Sequence, residues 1–274
     1  MDTPEPIVLG AVLYDPKVPR IWALIGDFLA QRGVPIEPVY FMRYERQVLA
    51  VERGLVDVAW NSPLAHVDLA RRVQGACRAI AMRDTDCDRV SHLVVGKASG
   101  ITRVDHLRGR TIGLGASDSP QATLLPQRLL ARAGLVGGRD VVVRRFDRLV
   151  GLHGDHVGGE REAFAALAAG EVDACAMIDL NWQAWTASGE IDPARFAILA
   201  TTDPYDHCVF SVRADFPAEA ERRFVDALLA MDYANPAHRE MMDLEGLKAW
   251  RRGRVSGLAA LTEATHAQGF FGRS

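Results

Sequence analysis

The chain has 274 residues, 49% hydrophobic and 24% charged, with a formal net charge of −3. That length allows one large or two modest domains with the composition of an ordinary globular protein. The small acidic surplus argues against a nucleic-acid partner, and no stretch approaches the roughly 20 apolar residues of a membrane helix.

The opening MDTPEPIVLGAVLY moves directly into a strand-like run, without a basic segment, a long apolar segment or a cleavage site. A cytoplasmic protein is the simpler expectation, or a periplasmic one whose leader has been removed. Cys77, Cys87, Cys175 and Cys208 show no C-x-x-C spacing, and a chain of this size needs no disulfides.

In chain order, Ile7–Leu13 reads as a strand and Arg20–Arg32 as a helix. The helix carries Trp22, Ile25, Phe28 and Leu29 on one face and stops at Gly33. A strand over Val34–Phe41, a helix over Tyr44–Arg53 and a strand over Val56–Trp60 follow. Ser62 can cap the next helix, with Pro63 at its first position. Strands are expected at Ile80–Met82, Ser91–Gly96, Thr111–Leu114, Val141–Arg145, Phe196–Ala200 and Val209–Val212. A helix follows Ser119 to about Ala133, and amphipathic helices cover Glu221–Met231 and His238–Trp250.

One pattern occurs twice. Arg46–Trp60 reads RQVLAVERGLVDVAW and Glu162–Ala176 reads EAFAALAAGEVDACA, so Ala50, Gly54, Val56 and Asp57 meet Ala166, Gly170, Val172 and Asp173. Each copy is a helix, a glycine stop, an acidic turn residue and an apolar strand. One such unit per half predicts two similar α/β lobes with a ligand cleft between them. The boundaries are placed at 1–92 plus 207–274 for the first lobe and 93–206 for the second.

Carboxyl ends of parallel strands border the cleft in open α/β sheets. By that topology Tyr14, Asp15, Asn61 and Ser62 are ligand candidates, with Tyr44 at a helix start and Asp179 after the second repeat strand. Ser117, Ser119 and Gln121 begin a helix behind a strand, where backbone N–H groups favour an anion. An ordinary capped helix needs the same residues, and Asp118 would repel an anion. His153, His156 and Glu160 could hold a divalent ion, against the alternative of a solvated, glycine-rich loop; neither a metal nor a cofactor is assigned. Asp206, His207 and Cys208 raise acid/base and thiol-nucleophile ideas. Neighbours on a strand point to opposite faces, so His207 and Cys208 are not expected to meet. Trp182 and Trp185 read as core, and Arg251, Arg252 and Arg254 as a solvated face.

The runs PIVLGAVLYDP, RGLVDVAWNSPLAHV, SHLVVGKASGITRVDHLRGRTIGLGASDSPQATLLP, AAGEVDACAMID and ATTDPYDHCVFSVRADFP resemble the phosphate/phosphonate-type solute-binding proteins. The resemblance covers roughly Ile7 to Asp232. It implies a type II periplasmic-binding-protein fold: two parallel or mixed sheets flanked by helices, closing by a hinge on a ligand. Where the family has an S-T-S-G helix start, this sequence reads Ser119-Pro120-Gln121-Ala122. Glu160 stands where the family has a histidine.

The favoured expectation is binding of a small polar or anionic molecule, with a membrane permease as partner if transport is the context. Tyr14, Tyr44, Asn61, Ser62, Ser119 and Gln121 would donate, and Asp179 and Glu160 would meet a cationic or hydroxylated group. The alternative is a cytoplasmic enzyme on the same fold, with lyase or biosynthetic chemistry at His153, His156, Glu160 and His207. A ligand-sensing subunit would share the binder's cleft.

Overall fold

The computed structural model describes residues 5–154 and 158–272. The chain forms two compact units. The first runs to Cys87 and resumes over Asp206–Leu258; the second holds Asp88–Tyr205 and continues from Ala259.

In the first unit a six-stranded sheet has the order β11-β4-β10-β3-β1-β2. The strands are β1 (Ile7–Val12), β2 (Ile36–Phe41), β3 (Val58–Asn61), β4 (Cys77–Arg83), β10 (Val209–Arg213) and β11 (Trp250–Arg252). β1 pairs in parallel with β2 and β3, while β10 and β11 pair antiparallel, so the sheet is mixed. Helices α1 (Val18–Ala30), α2 (Tyr44–Glu52), α3 (Pro63–Arg72), α7 (Ala218–Leu229) and α8 (Pro236–Glu245) flank it. α1 buries Trp22, Ile25, Phe28 and Leu29, the face read from the sequence spacing. Trp22, Trp60, Phe210, Phe224 and Trp250 meet in one aromatic cluster, with Trp60 and Phe210 centroids 4.7 Å apart.

The second unit has a five-stranded sheet of order β7-β6-β8-β5-β9. Its strands are β5 (Ser91–Gly96), β6 (Thr111–Leu114), β7 (Val142–Arg145), β8 (Ala174–Ile178) and β9 (Phe196–Thr201). β6 is parallel to β7 and β8, and β5 runs antiparallel to β8 and β9. Helices α4 (Leu125–Arg132), α5 (Glu160–Ala168), α6 (Asp179–Ala187) and α9 (Ala259–Ala267) belong to it. Trp185 packs into the core with Phe164 and Phe196, and Trp182 lies against the same cluster.

Two local expectations change. The run expected to stay helical through Trp250 ends at Glu245, because Gly246 takes φ +75° and ends α8; Trp250 to Arg252 then pair with β4. Arg251, Arg252 and Arg254 are exposed, as the solvated-face reading expects, and Arg252 and Arg254 also pair with Asp226 and Asp206. α9 groups with the second unit rather than returning to the first. It is held by Gln268 donating to the Leu124 carbonyl (2.8 Å) and by an Arg128–Glu263 ion pair.

The repeat is structural. Gly54 and Gly170 take φ +72° and +74°. In each copy the residue after the glycine donates back across the helix end, Leu55 N to Ala50 O and Glu171 N to Ala166 O, both 2.9 Å. This is the Schellman closure that satisfies otherwise orphaned carbonyls. The acidic residue is more than a turn former. Asp57 N donates to Val8 O, and Asp57 Oδ2 accepts from Val8 N at 2.9 Å. Asp173 N donates to Thr111 O, and Asp173 Oδ2 accepts from Thr111 N at 2.8 Å. Each carboxylate thus clamps the start of one parallel strand to its neighbour. Asp57→Ala and Asp173→Ala should each cost about 1–3 kcal/mol, since each leaves a strand N–H without its acceptor. Urea denaturation would measure it, and unchanged midpoints would contradict the clamp.

Candidate functional site

In the first unit the parallel pairing of β1 and β3 brings their carboxyl ends side by side. Tyr14 and Asp15 follow one end, and Asn61 and Ser62 lie at the other. Asp15 is exposed and serves the start of α1, its Oδ1 accepting from Lys17 N at 2.8 Å. Ser62 caps α3, its Oγ accepting from Ala65 N at 3.1 Å, with Pro63 behind it as the sequence predicts. Tyr44 is buried at the start of α2. Gln47, a residue the sequence reading did not single out, joins α2 to this edge. Its Nε2 donates 2.8 Å bonds to the Trp60 carbonyl and to Asn61 Oδ1. Asn61 Nδ2 is buried and finds no acceptor among the described residues. The signal for Gln47 was present, because it lies one turn along the repeat helix from Tyr44.

In the second unit β6 and β8 are parallel neighbours, so Ser117 to Gln121 and Asp179 follow adjacent strand ends. The segment after Ser119 is not an ordinary α-helical start. Pro120–Leu124 forms a π-turn, with Ser119 Oγ accepting from Ala122 N at 3.1 Å. The turn runs directly into α4, whose residue 2 is Pro126 and brings no N–H to the first turn. Ser117 donates its backbone N–H to Asp147 Oδ1 (2.8 Å). Asp118, expected to oppose an anion, instead holds the following loop, accepting from Gly151 N at 2.6 Å.

The described part of that glycine-rich loop is exposed at Arg148 to Val150 and packed around its glycines. Gly151, His153, Gly154 and Gly158 are buried. Gln121 Nε2 donates to the Gly154 carbonyl (3.1 Å), and Ala116 N to that of Gly158 (2.8 Å). A side chain at Gly154, φ +62°, would lie 2.7 Å from Ser119 Cβ, so only glycine permits this approach.

Glu160 opens α5 and is fully buried. Its Oε2 accepts from Ile178 N (3.0 Å) and Asn181 Nδ2 (2.6 Å). Burial pushes its pKa up to about 7 despite donors from Asn181, Ile178 and Gln121; nearby Asp179 adds to the rise. Asp179 itself is buried and pairs with Arg89 at 3.4 Å.

Of the candidate metal ligands, His153 is buried, Glu160 is engaged as above, and His156 lies outside the described residues. Among the described residues, the mixed set that does converge is Asp86, His207 and Cys208, all buried. His207 and Cys208 meet despite the alternation argument, Nδ1 to Sγ 3.0 Å, because β10 begins only at Val209. The same Nδ1 is 3.5 Å from Asp86 Oδ1. A nucleophile triad needs the acid and the thiol on different ring nitrogens. Arg83 already holds both Asp86 oxygens, at 2.6 and 2.8 Å, and reaches Glu245 Oε1 at 3.3 Å. Its guanidinium keeps the Asp86 carboxyl well below the usual carboxylate range and occupies the place of a cation. The cluster is therefore a buried ionic core of the first unit. Asp206 is likewise buried and paired with Arg254 at 2.6 and 2.7 Å.

Two mixed sheets flanked by helices, with paired strand ends carrying polar residues in each unit, define an α/β protein of the two-lobed periplasmic-binding class. The profile of the ABC transporter phosphonate periplasmic substrate-binding proteins matches residues 14–256. The chain belongs to that family, and is a solute-binding protein. PhnD1 from Prochlorococcus marinus, solved with methylphosphonate, has a TM-score of 0.69 at 17% identity over 96% of this chain and 98% of its own. A Xanthomonas citri protein bound to ATP scores 0.73 at 19% identity, covering 95% and 97%. The periplasmic aliphatic sulphonate binding protein SsuA from Escherichia coli scores 0.58 at 18% identity, covering 98% and 93%. An uncharacterized Haemophilus influenzae protein is 61% identical over 33 residues, 12% of this chain and 46% of that protein's length. No helix among the described residues is long and apolar enough to cross a membrane.

Two measurements follow from this geometry. The folded chain keeps a proton on Glu160 that the unfolded chain releases near the ordinary 4.5. Stability from this group is thus full below pH 4.5 and falls as pH rises through about 7. The loss is on the order of 3 kcal/mol. Glu160→Gln should flatten that decline in urea titrations run from pH 4.5 to 8; equal slopes in both proteins would refute it. Arg83→Met should cost about 3–5 kcal/mol by stranding Asp86 and Glu245, read as a lower unfolding midpoint.

Proposed function

We propose that this protein captures a small organic anion of the phosphonate or sulfonate kind, without chemistry on it, and delivers it to an ABC permease. The observation that carries the reading is the family match over residues 14–256. The ligand in the PhnD1 structure is methylphosphonate, and the Escherichia coli relative is a sulphonate binder. Both carry a tetrahedral oxyanion, the group a cluster of neutral donors recognises. We assign contacts to Tyr14, Asp15, Tyr44, Asn61 and Ser62 in the first unit and to Ser117, Ser119, Gln121, Glu160 and Asp179 in the second. The Asn61 amide supports this, as its Nδ2 is a buried donor without an acceptor among the described residues. We place the protein in the periplasm on the family's ground; the cytoplasmic expectation rested on the opening residues alone.

A thermal-shift series with methylphosphonate, phosphate and ethanesulfonate tests the reading. Saturation at about 100 times Kd should stabilise the fold by roughly 2.7 kcal/mol. No shift with any of the three would remove the proposal. Asn61→Asp keeps the shape and the Oδ1 acceptor for Gln47, but replaces the free donor with negative charge. It should weaken anion binding by more than about tenfold, or 1.4 kcal/mol, by calorimetry; unchanged affinity would take Asn61 out of the site.

A further inference from the structure

We infer that Gln47 is a positioning residue, which holds the Asn61 carboxamide with its Nδ2 donor presented to the ligand and so sets the first unit's preference for acceptor-rich anions. The inference rests on the proposed function and deepens it. Gln47 lies in α2, one turn from Tyr44, and is fully buried. Its Nε2 donates to the Trp60 carbonyl and to Asn61 Oδ1, both at 2.8 Å. The polarity of this short chain is forced. A backbone carbonyl can only accept, so the Gln47 atom facing Trp60 O must be the amide nitrogen. Both hydrogens of that nitrogen are then spent, and the Asn61 atom that meets the second must be the oxygen. Nδ2 is left as the Asn61 atom turned away from Gln47. A main-chain group that cannot reverse therefore fixes two side chains in turn.

The arrangement carries a cost that points to its purpose. Gln47 Oε1 and Asn61 Nδ2 are both buried with no partner among the described residues. Oε1 faces β1, where a Cβ on Gly10 would lie 3.3 Å from it, and glycine has no side chain to donate. Orphaned buried polar atoms weaken a fold, and an apolar side chain at position 47 would bring none. A brace between α2 and β3 needs only the bond to the Trp60 carbonyl. The second bond, to the next residue of the same strand, ties no further element. It decides which end of the Asn61 amide the ligand meets. With Oδ1 presented the amide would repel an oxyanion; with Nδ2 presented it donates to one. Selecting a ligand by fixing which end of a buried amide it meets discriminates against donors as well as for acceptors.

The test is calorimetry on the full chain, with methylphosphonate and ethanesulfonate as probes, in a double-mutant cycle of Gln47→Met and Asn61→Ala. Methionine keeps an unbranched side chain and loses both bonds. Gln47→Met should weaken the tighter-bound probe by at least about fivefold in the wild-type background and by less than about twofold in Asn61→Ala, because a residue that acts through Asn61 then has nothing to orient. A mere brace would cost the same factor in both backgrounds, and that result would overturn the inference. Where Gln47→Met does not fold, Gln47→Glu keeps the shape. Its carboxylate accepts from Asn61 Nδ2 and turns the amide over. The loss should then exceed about tenfold and shrink when Asn61 is replaced by alanine; an undiminished loss reports charge repulsion alone and also overturns the inference. Equal losses in both backgrounds, with the wild type binding a probe, remove the inference and leave the anion reading in place. A wild type that binds neither probe removes both.

Discussion

The carboxylate clamps of Asp57 and Asp173 constrain everything above them in their units. Each aspartate accepts a strand N–H that its neighbour cannot reach and donates its own N–H back to the same residue. The pairing fixes β3 against β1 and β8 against β6 in parallel register at the first residues. A one-residue slip would turn every side chain to the other face. Because the starts are fixed, so are the far ends. Asn61 and Ser62 come to lie beside the turn carrying Tyr14, and Asp179 beside the turn carrying Ser117 and Ser119. The polar ends are consequences of the clamps, and the apolar strands between them, VDVAW and VDACAMI, supply the burial that holds the sheet.

What could be read in advance was what local chemistry determines. The glycine stops, the Ser62–Pro63 cap, the apolar face of α1 and the doubled helix–strand unit all follow from residues a few positions apart. Interactions between residues far apart in sequence were hidden. Asp57 looked like a turn residue because its partner, Val8, is 49 positions away. Trp250 looked helical because the pattern before it is, but β4 offered a free edge and Gly246 broke the helix. His207 and Cys208 were separated by a strand alternation that does not yet apply at those residues. In the candidate site, topology placed each residue at a strand or helix end. It could not tell that Asp118 binds the loop behind it, nor that Glu160 is enclosed.

The two units treat buried charge differently, although the first also holds an orphaned buried polar atom, Asn61 Nδ2, among the described residues. The first neutralises its charges internally: Arg83 answers Asp86 and Glu245, Arg254 answers Asp206, and His66 is held neutral by burial, its pKa lowered to about 4, against Ser211 Oγ at 2.8 Å. Removing one member of such a set strands the other, so these residues are bound to structure. The second unit leaves Glu160, Gln121 and Asp179 with acceptors that no described donor meets.

An unpaired acceptor in a well-packed interior is a cost that folding alone has no reason to retain, and natural sequences depart from local consistency mainly where function requires it. That contrast separates the buried polar groups of this chain by purpose. The Arg83 and Arg254 sets are complete and would gain nothing from a ligand. The Glu160 set keeps acceptors that no described donor meets, at the strand ends that the Asp173 clamp aligns.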